Sequence, residues 1–201
     1  MARVKHTKSA LKEQRDALAR FKRYLPTLKL KKQQLQVEVW RVEARAREKR
    51  AESDQLREEI SSWVALFAEP FDFAAHLRTA RLVTGQGNIA GVAIPVLEVL
   101  EFAHESVDLF QTPPWVDDGL RVVEQLARLR IERSILDEQQ RLLEDELRVA
   151  SQRVNLFEKV KIPEARENIR AIRVYLGDQQ TAEVVRGKIA KAKSASRGEE
   201  P

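Results

Sequence analysis

Leucine-like residues recur at sevens through the first third of the chain. Counting from Leu11, every seventh position is Leu11, Leu18, Leu25, Lys32, Val39, Ala46, Ser53, Ile60 and Phe67. Three positions on runs a companion series of Gln14, Phe21, Leu28, Leu35, Val42, Lys49, Leu56 and Trp63. Most of these positions are apolar and no glycine interrupts them, which is the signature of one long helix with a coiled-coil seam. Thr7 and Ser9 are candidate N-caps, so the pattern predicts a helix from about residue 8 to about 66. At 1.5 Å per residue such a helix is roughly 85–90 Å long. The seam weakens at Ala46, Lys49 and Ser53, inside the charged stretch "ARAREKRAESDQ".

A second run opens at "QTPPWVDDGL". Thr112 can cap it, Pro113 suits a first helical position, and Asp117 and Asp118 complement the positive end of the helix dipole. Leu129, Leu136, Leu143, Ala150 and Phe157 follow at sevens, with Leu126, Leu147 and Val154 in the companion series. Past Pro163 the stripe continues as Ala165, Ile169, Ile172 and Leu176, and Gly177 predicts an end. A last helical piece is expected at about 179–193, with 194–201 as a disordered tail.

Between the two runs the pattern changes period. "RLVT" and "GVAIPV" are short β-prone stretches around a glycine-rich turn, and Pro95 restricts the second to an edge or a strand end. A small hairpin at roughly 79–96 and a short helix at about 97–109 are predicted. The division is therefore 1–66 as N-terminal coiled-coil helix, 67–112 as connecting region, and 113–193 as C-terminal coiled-coil helix bent near Pro163. The fold class is all-α dominated: a long antiparallel two-helix coiled coil with a β-hairpin and short helix in its middle. In that pairing Pro26 and Pro163 fall within a turn or two of one level. Each proline removes one backbone hydrogen bond and bends its helix, so the two read as halves of one shared bend.

Composition sharpens this picture. Charged residues make up 33% of the chain, against roughly 25% in average globular proteins, and only seven glycines and seven prolines are available for turns. Few, long elements follow. The net charge is +5, but residues 1–50 hold 16 Lys/Arg against 5 Asp/Glu, residues 51–150 hold 9 against 19, and residues 151–201 hold 11 against 7. A chain doubling back at its centre becomes a rod with one basic and one acidic tip. A two-stranded rod buries little of its own surface, so a surrounding partner is expected. The absence of cysteine excludes disulfides, thiolate metal sites and cysteine nucleophiles. No signal-type apolar core and no membrane-length apolar run is present, so a soluble chain without direct membrane insertion is expected.

Candidate chemistry is sparse. "GQGNIA" (Gly85 to Ala90) fits the dinucleotide pattern formally, but the β-branched "GVAIPV" stands where the phosphate-binding helix must begin. It reads as a turn between strands. His6, His76 and His104 are isolated, and no acid–base pair of carboxylates has a pocket to work in. No catalytic, metal or cofactor residue is assigned, and a non-catalytic chain is expected. The basic stretch "LKLKKQQ" (Lys29, Lys31 and Lys32) suits an acidic protein partner better than nucleic acid, because the aromatics of the first helix lie mainly on heptad positions instead of between the lysines as stacking platforms. Trp40 falls off both series and reads as an interface anchor.

Three motifs in order carry a resemblance. Leu28, Lys29, Lys31, Lys32 and Leu35 match L-K-x-K-R/K-x-x-L. Asn88, Ile89, Gly91, Val92, Ile94 and Pro95 match N-hydrophobic-x-G-V-x-V/I-P. Arg153, Val154, Asn155, Glu158, Ile162 and Pro163 match R-V-N-x-x-E-x-x-x-I-P. With these the chain resembles the D subunits of V/A-type rotary ATPases, the central-stalk shaft of those machines, in their bacterial branch. Ala93 stands where the family pattern carries lysine. The resemblance implies a rotor shaft in the bore of a ring of A and B subunits, clasped by the small F subunit. Its lower end would dock on a funnel-shaped stalk protein above the membrane rotor ring. It implies torque transmission coupling ATP chemistry to proton or sodium transport, at the cytoplasmic face of the membrane, with the first and third motifs as coupling residues and the hairpin motif as stalk contact. The alternative is a free-standing coiled-coil adaptor or a nucleic-acid-binding arm.

Overall fold

A computed structural model describes residues 5–63, 65, 69, 71–105 and 112–197. Helix α1 spans Lys8–Ile60, a short α2 spans Phe73–His76, and strands β1 (Leu77–Ile89) and β2 (Val92–His104) form an antiparallel hairpin. Helix α3 spans Val116–Asn155, a π-helical segment spans Leu156–Lys161, and α4 spans Ile162–Arg197. The long first helix, the long C-terminal helical run and the hairpin between them are as the hydrophobic pattern predicts. The chain divides into two compact units, one of Met1–Leu30 with Ala150–Pro201 and one of Lys31–Val149.

Within the Lys31–Val149 unit the heptad stripe of α1 is the core. Leu35, Val39, Val42, Ala46 and Ile60 are buried, as are Val116, Leu120 and Leu143 of α3 and Ile94 of β2. Burying a leucine fully contributes roughly 1.5–3 kcal/mol. Lys31 bonds Glu146 at 2.7 Å and Lys49 bonds Glu132 at 3.2 Å, so α1 and α3 run antiparallel here. The hairpin lies along α3 in a fixed order. His104 Nε2 meets Glu124 at 3.1 Å, the Arg128 guanidinium sits 5.6 Å from the Phe102 ring centre, and Gln139 donates to the Pro95 carbonyl.

Turn chemistry explains the hairpin tip. Ala90 and Gly91 have φ of 52° and 81°, both positive as a two-residue type I′ connection requires. Asn88 Oδ1 accepts the Gly91 N–H at 3.0 Å, and Ile89 pairs with Val92 to close the ladder. Gly87 has a different reason: a Cβ there would sit 2.7 Å from Val96 Cγ2. "GQGNIA" is thus strand and turn.

The hairpin is longer than predicted, and strand occupies 97–104 where the sequence predicts a short helix; the rest of that predicted helix, apart from Glu105, lies outside the described residues. "VLEVLEF" repeats every three residues, which imitates a helix. In the ladder Val83 pairs with Val99 and Thr84 with Leu97, leaving Glu98 as an inserted residue. A bulge of this kind shifts the alternation by one and turns a period of two into an apparent period of three.

Within the other unit α1 and α4 are also antiparallel: Asn168 meets Gln14 at 3.4 Å, and the His6 and Tyr175 rings lie 4.9 Å apart. Val154, Ile162, Ala165, Ile169 and Ile172 form its buried stripe. The Phe21–Phe157 ring contact at 5.2 Å and the Lys29–Glu158 pair at 2.8 Å bracket Pro26 and set it opposite the π-helical segment. Pro163 follows about a turn and a half further on. The Ile162 N–H bonds back to the Phe157 carbonyl, five residues away, so the helix widens just before the residue that has no N–H to give.

Three further boundaries differ from expectation. Helix α3 starts at Val116, after a turn in which the Val116 N–H bonds the Pro113 carbonyl at 3.1 Å, so Pro113 precedes the helix. Helix α4 passes through Gly177 to Arg197 without the positive φ that would make that glycine a terminator. The predicted gap before 179 is absent, residues 194–197 belong to α4, and the rest of the predicted tail lies outside the described residues. The first helix, predicted to run to about residue 66, ends at Ile60, where the Ser61 and Trp63 N–H groups bond the carbonyls of Glu58 and Ile60 three residues back and the chain turns.

Candidate functional site

The first and third motifs meet in space. Lys29 and Glu158 form an ion pair at 2.8 Å, each side chain 46% exposed. Leu28 is half-buried, Lys31 pairs with Glu146, and Leu35 has no exposed surface. Lys32 is half-buried and makes no ion pair among the described residues. Helical spacing causes this split: Leu28 and Leu35 lie on the inner seam, while Lys29 and Lys31 flank it and reach across.

The third motif divides in the same way. Val154 and Ile162 are buried, and Arg153, Asn155 and Pro163 are exposed. Asn155 sits at the start of the π-helical segment and makes no capping bond with its side chain. In the hairpin motif Ile94 is buried, Ile89, Val92 and Pro95 are half-buried, and Asn88 and Gly91 are used by the turn. Ala93 is exposed.

The weak stretch of the seam is visible as open space. Two grooves of about 390 and 440 Å³ share Lys49 and Leu129 in their linings. Lys49 bonds Glu52 at 3.0 Å and Glu132 at 3.2 Å, and these hydrogen bonds hold its ammonium above the ordinary lysine value. A charge on the seam brings its own counter-charges and spreads the helices' side chains apart. On the outer face of α3, the Arg141 guanidinium holds the Glu138 carboxyl below its usual range, a solvated surface pairing.

Gln139 is the residue sequence reasoning missed. It is 7% exposed and donates to Pro95, clasping the hairpin against α3. It belongs to a polar series at sevens, Gln125, Glu132, Gln139 and Glu146, which reads as a solvent face. Two of these four carry no charge, and that is the available signal.

Chemically the arrangement offers mechanical contacts. Among the described residues no group of three His, Asp or Glu side chains is placed to hold a metal ion, and no helix is long and apolar enough to cross a membrane. Trp40 is 61% exposed on the outer face of α1.

Comparison with known proteins supplies the context. The family model for the D subunit of ATP synthase matches residues 10–192. A V-type ATP synthase D subunit from Borreliella burgdorferi is 50% identical over 192 residues, covering 96% of this chain and 95% of its own. One from Chlamydia abortus is 36% identical over 202 residues, covering 99% and 97%, and one from Chlamydia muridarum is 34% identical over 195 residues, covering 96% of each.

Proposed function

We infer the role from a premise the comparisons establish: the chain belongs to the family of ATP synthase D subunits, whose members named above are subunits of V-type ATP synthases. On that basis the chain is a subunit of such a complex, and its role is the central rotor shaft. It carries torque between the catalytic ring of A and B subunits and the ion-translocating rotor ring in the membrane. The F subunit and a funnel-shaped stalk protein are its other partners, and it sits peripherally at the cytoplasmic face. The shaft itself does no bond chemistry.

One observation carries the mechanical reading: in each unit the first helix is tied to the later one by buried apolar side chains and cross-helix ion pairs. A helix alone twists easily. Two helices whose knobs interlock must shear many contacts to twist, so a turning force applied at one level is passed along. Lys29–Glu158 joins the first and third motifs, and the Phe21–Phe157 ring contact packs the same two stretches together on the other side of Pro26.

The test is a reconstituted complex carrying Phe157→Asp, which places a charge against Phe21 without compensation. ATP hydrolysis should persist while ATP-driven ion pumping is lost. Undiminished pumping would contradict the reading. The unmodified chain should also recover A, B and F subunits in a pull-down; recovery of RNA or unrelated proteins instead would favour the adaptor alternative.

A further inference from the structure

In the unit formed by Met1–Leu30 and Ala150–Pro201 a groove of about 410 Å³ runs between α1 and α4. Its floor is Leu18, Ala19 and Ile169, and its rims are Arg15 and Lys22 on one helix and Arg166 and Arg173 on the other. Each rim pair is spaced by seven residues, two turns of helix or about 10 Å. Among the described residues no carboxylate lines the groove. None of the four cations forms an ion pair among the described residues, whereas Lys29 and Lys161 of the same unit do. Four positive groups facing one apolar trough without counter-ions repel one another, and a matching set of negative charges relieves that repulsion.

We infer that this groove seats an acidic amphipathic helix of another protein of the complex, with Asp or Glu side chains on both flanks and a leucine-like residue in the middle. The inference rests on the proposed membership of a multisubunit complex. Charge complementarity selects acid, and the apolar floor between the rims selects a side chain of that kind over a bare polyanion. The seven-residue spacing of the rim cations on both helices fits carboxylates repeated every two turns of the occupant. A nucleic acid would engage the arginines but leave the floor uncovered, since no aromatic lines the trough for a base to stack on.

Carbodiimide coupling of the assembled complex tests this, because it joins a touching amine and carboxylate as an amide. Lys22 should be recovered by mass spectrometry linked to an Asp or Glu of another protein in the complex. In Arg166→Glu/Arg173→Glu that product should fall by about tenfold or more, since like charges across an interface repel. The Lys29–Glu158 pair, 2.8 Å apart, gives an internal link that reports folding in both proteins. If the complex holds together and that link forms, but Lys22 couples only within its own chain or to nothing, the inference is overturned while the proposed function stands. If no complex assembles around the chain, the proposed function fails and this inference with it.

Discussion

Leu35 has no exposed surface and occupies the companion series of the first helix, so its contribution is packing alone. Truncating it to alanine removes buried methyl groups and leaves a hole that two helices cannot fully close. The expected loss is about 2–5 kcal/mol, read from urea unfolding of the purified chain. Lys29–Glu158 stands at the other extreme. Both side chains are 46% exposed, so water screens the pair and its contribution is at most about 1 kcal/mol. Lys29→Glu alone should lower stability slightly, and adding Glu158→Lys should restore it; equal losses in the single and double variants would show that the pair contributes nothing. These two residues of one motif region do different jobs, and a uniform label of "motif residue" hides that.

At the level of elements, the long helices are legible in the sequence because their apolar positions repeat over many turns, and no local accident can erase so long a pattern. Short-range signals mislead more easily. "VLEVLEF" looks helical because a bulge at Glu98 distorts the alternation, and Gly177 looks like an end because sequence does not reveal φ. Pro163 is visible as an interruption, but the widened turn before it is not, since any residue can occupy a π-helical segment. Pro163→Ala gives back the missing N–H donor, so amides of Leu156–Lys161 should exchange with deuterium more slowly than in the parent. Unchanged exchange would mean that the facing helix holds the segment open. Of the candidate site, the pairing of Lys29 with Glu158 is implicit in the antiparallel expectation, whereas the Gln139 clasp is hidden in a polar stripe. Gln139→Leu strips the Pro95 carbonyl of its partner and should cost about 1–3 kcal/mol, with faster exchange confined to the hairpin. Loss of protection throughout α1 would instead mark Gln139 as part of the general core.

For the whole molecule the charge distribution matters more than any pair. Residues 1–50 are strongly basic and residues 51–150 acidic, so different stretches of the chain favour partners of opposite sign. The proposed shaft role calls for several protein partners, and that division offers them surfaces of both signs. The chain also contains no cysteine, so one introduced cysteine is unique in it. Ala93, exposed in β2 next to the hairpin turn, is a convenient place for it. The most direct measurement fixes the A and B ring of an Ala93→Cys complex to a surface, attaches a bead through that thiol, and follows the bead under ATP. A shaft must turn in one direction, with the bead's rotation rate following the hydrolysis rate. A bead that stays still, or only jitters, while the same complexes hydrolyse ATP would contradict the account.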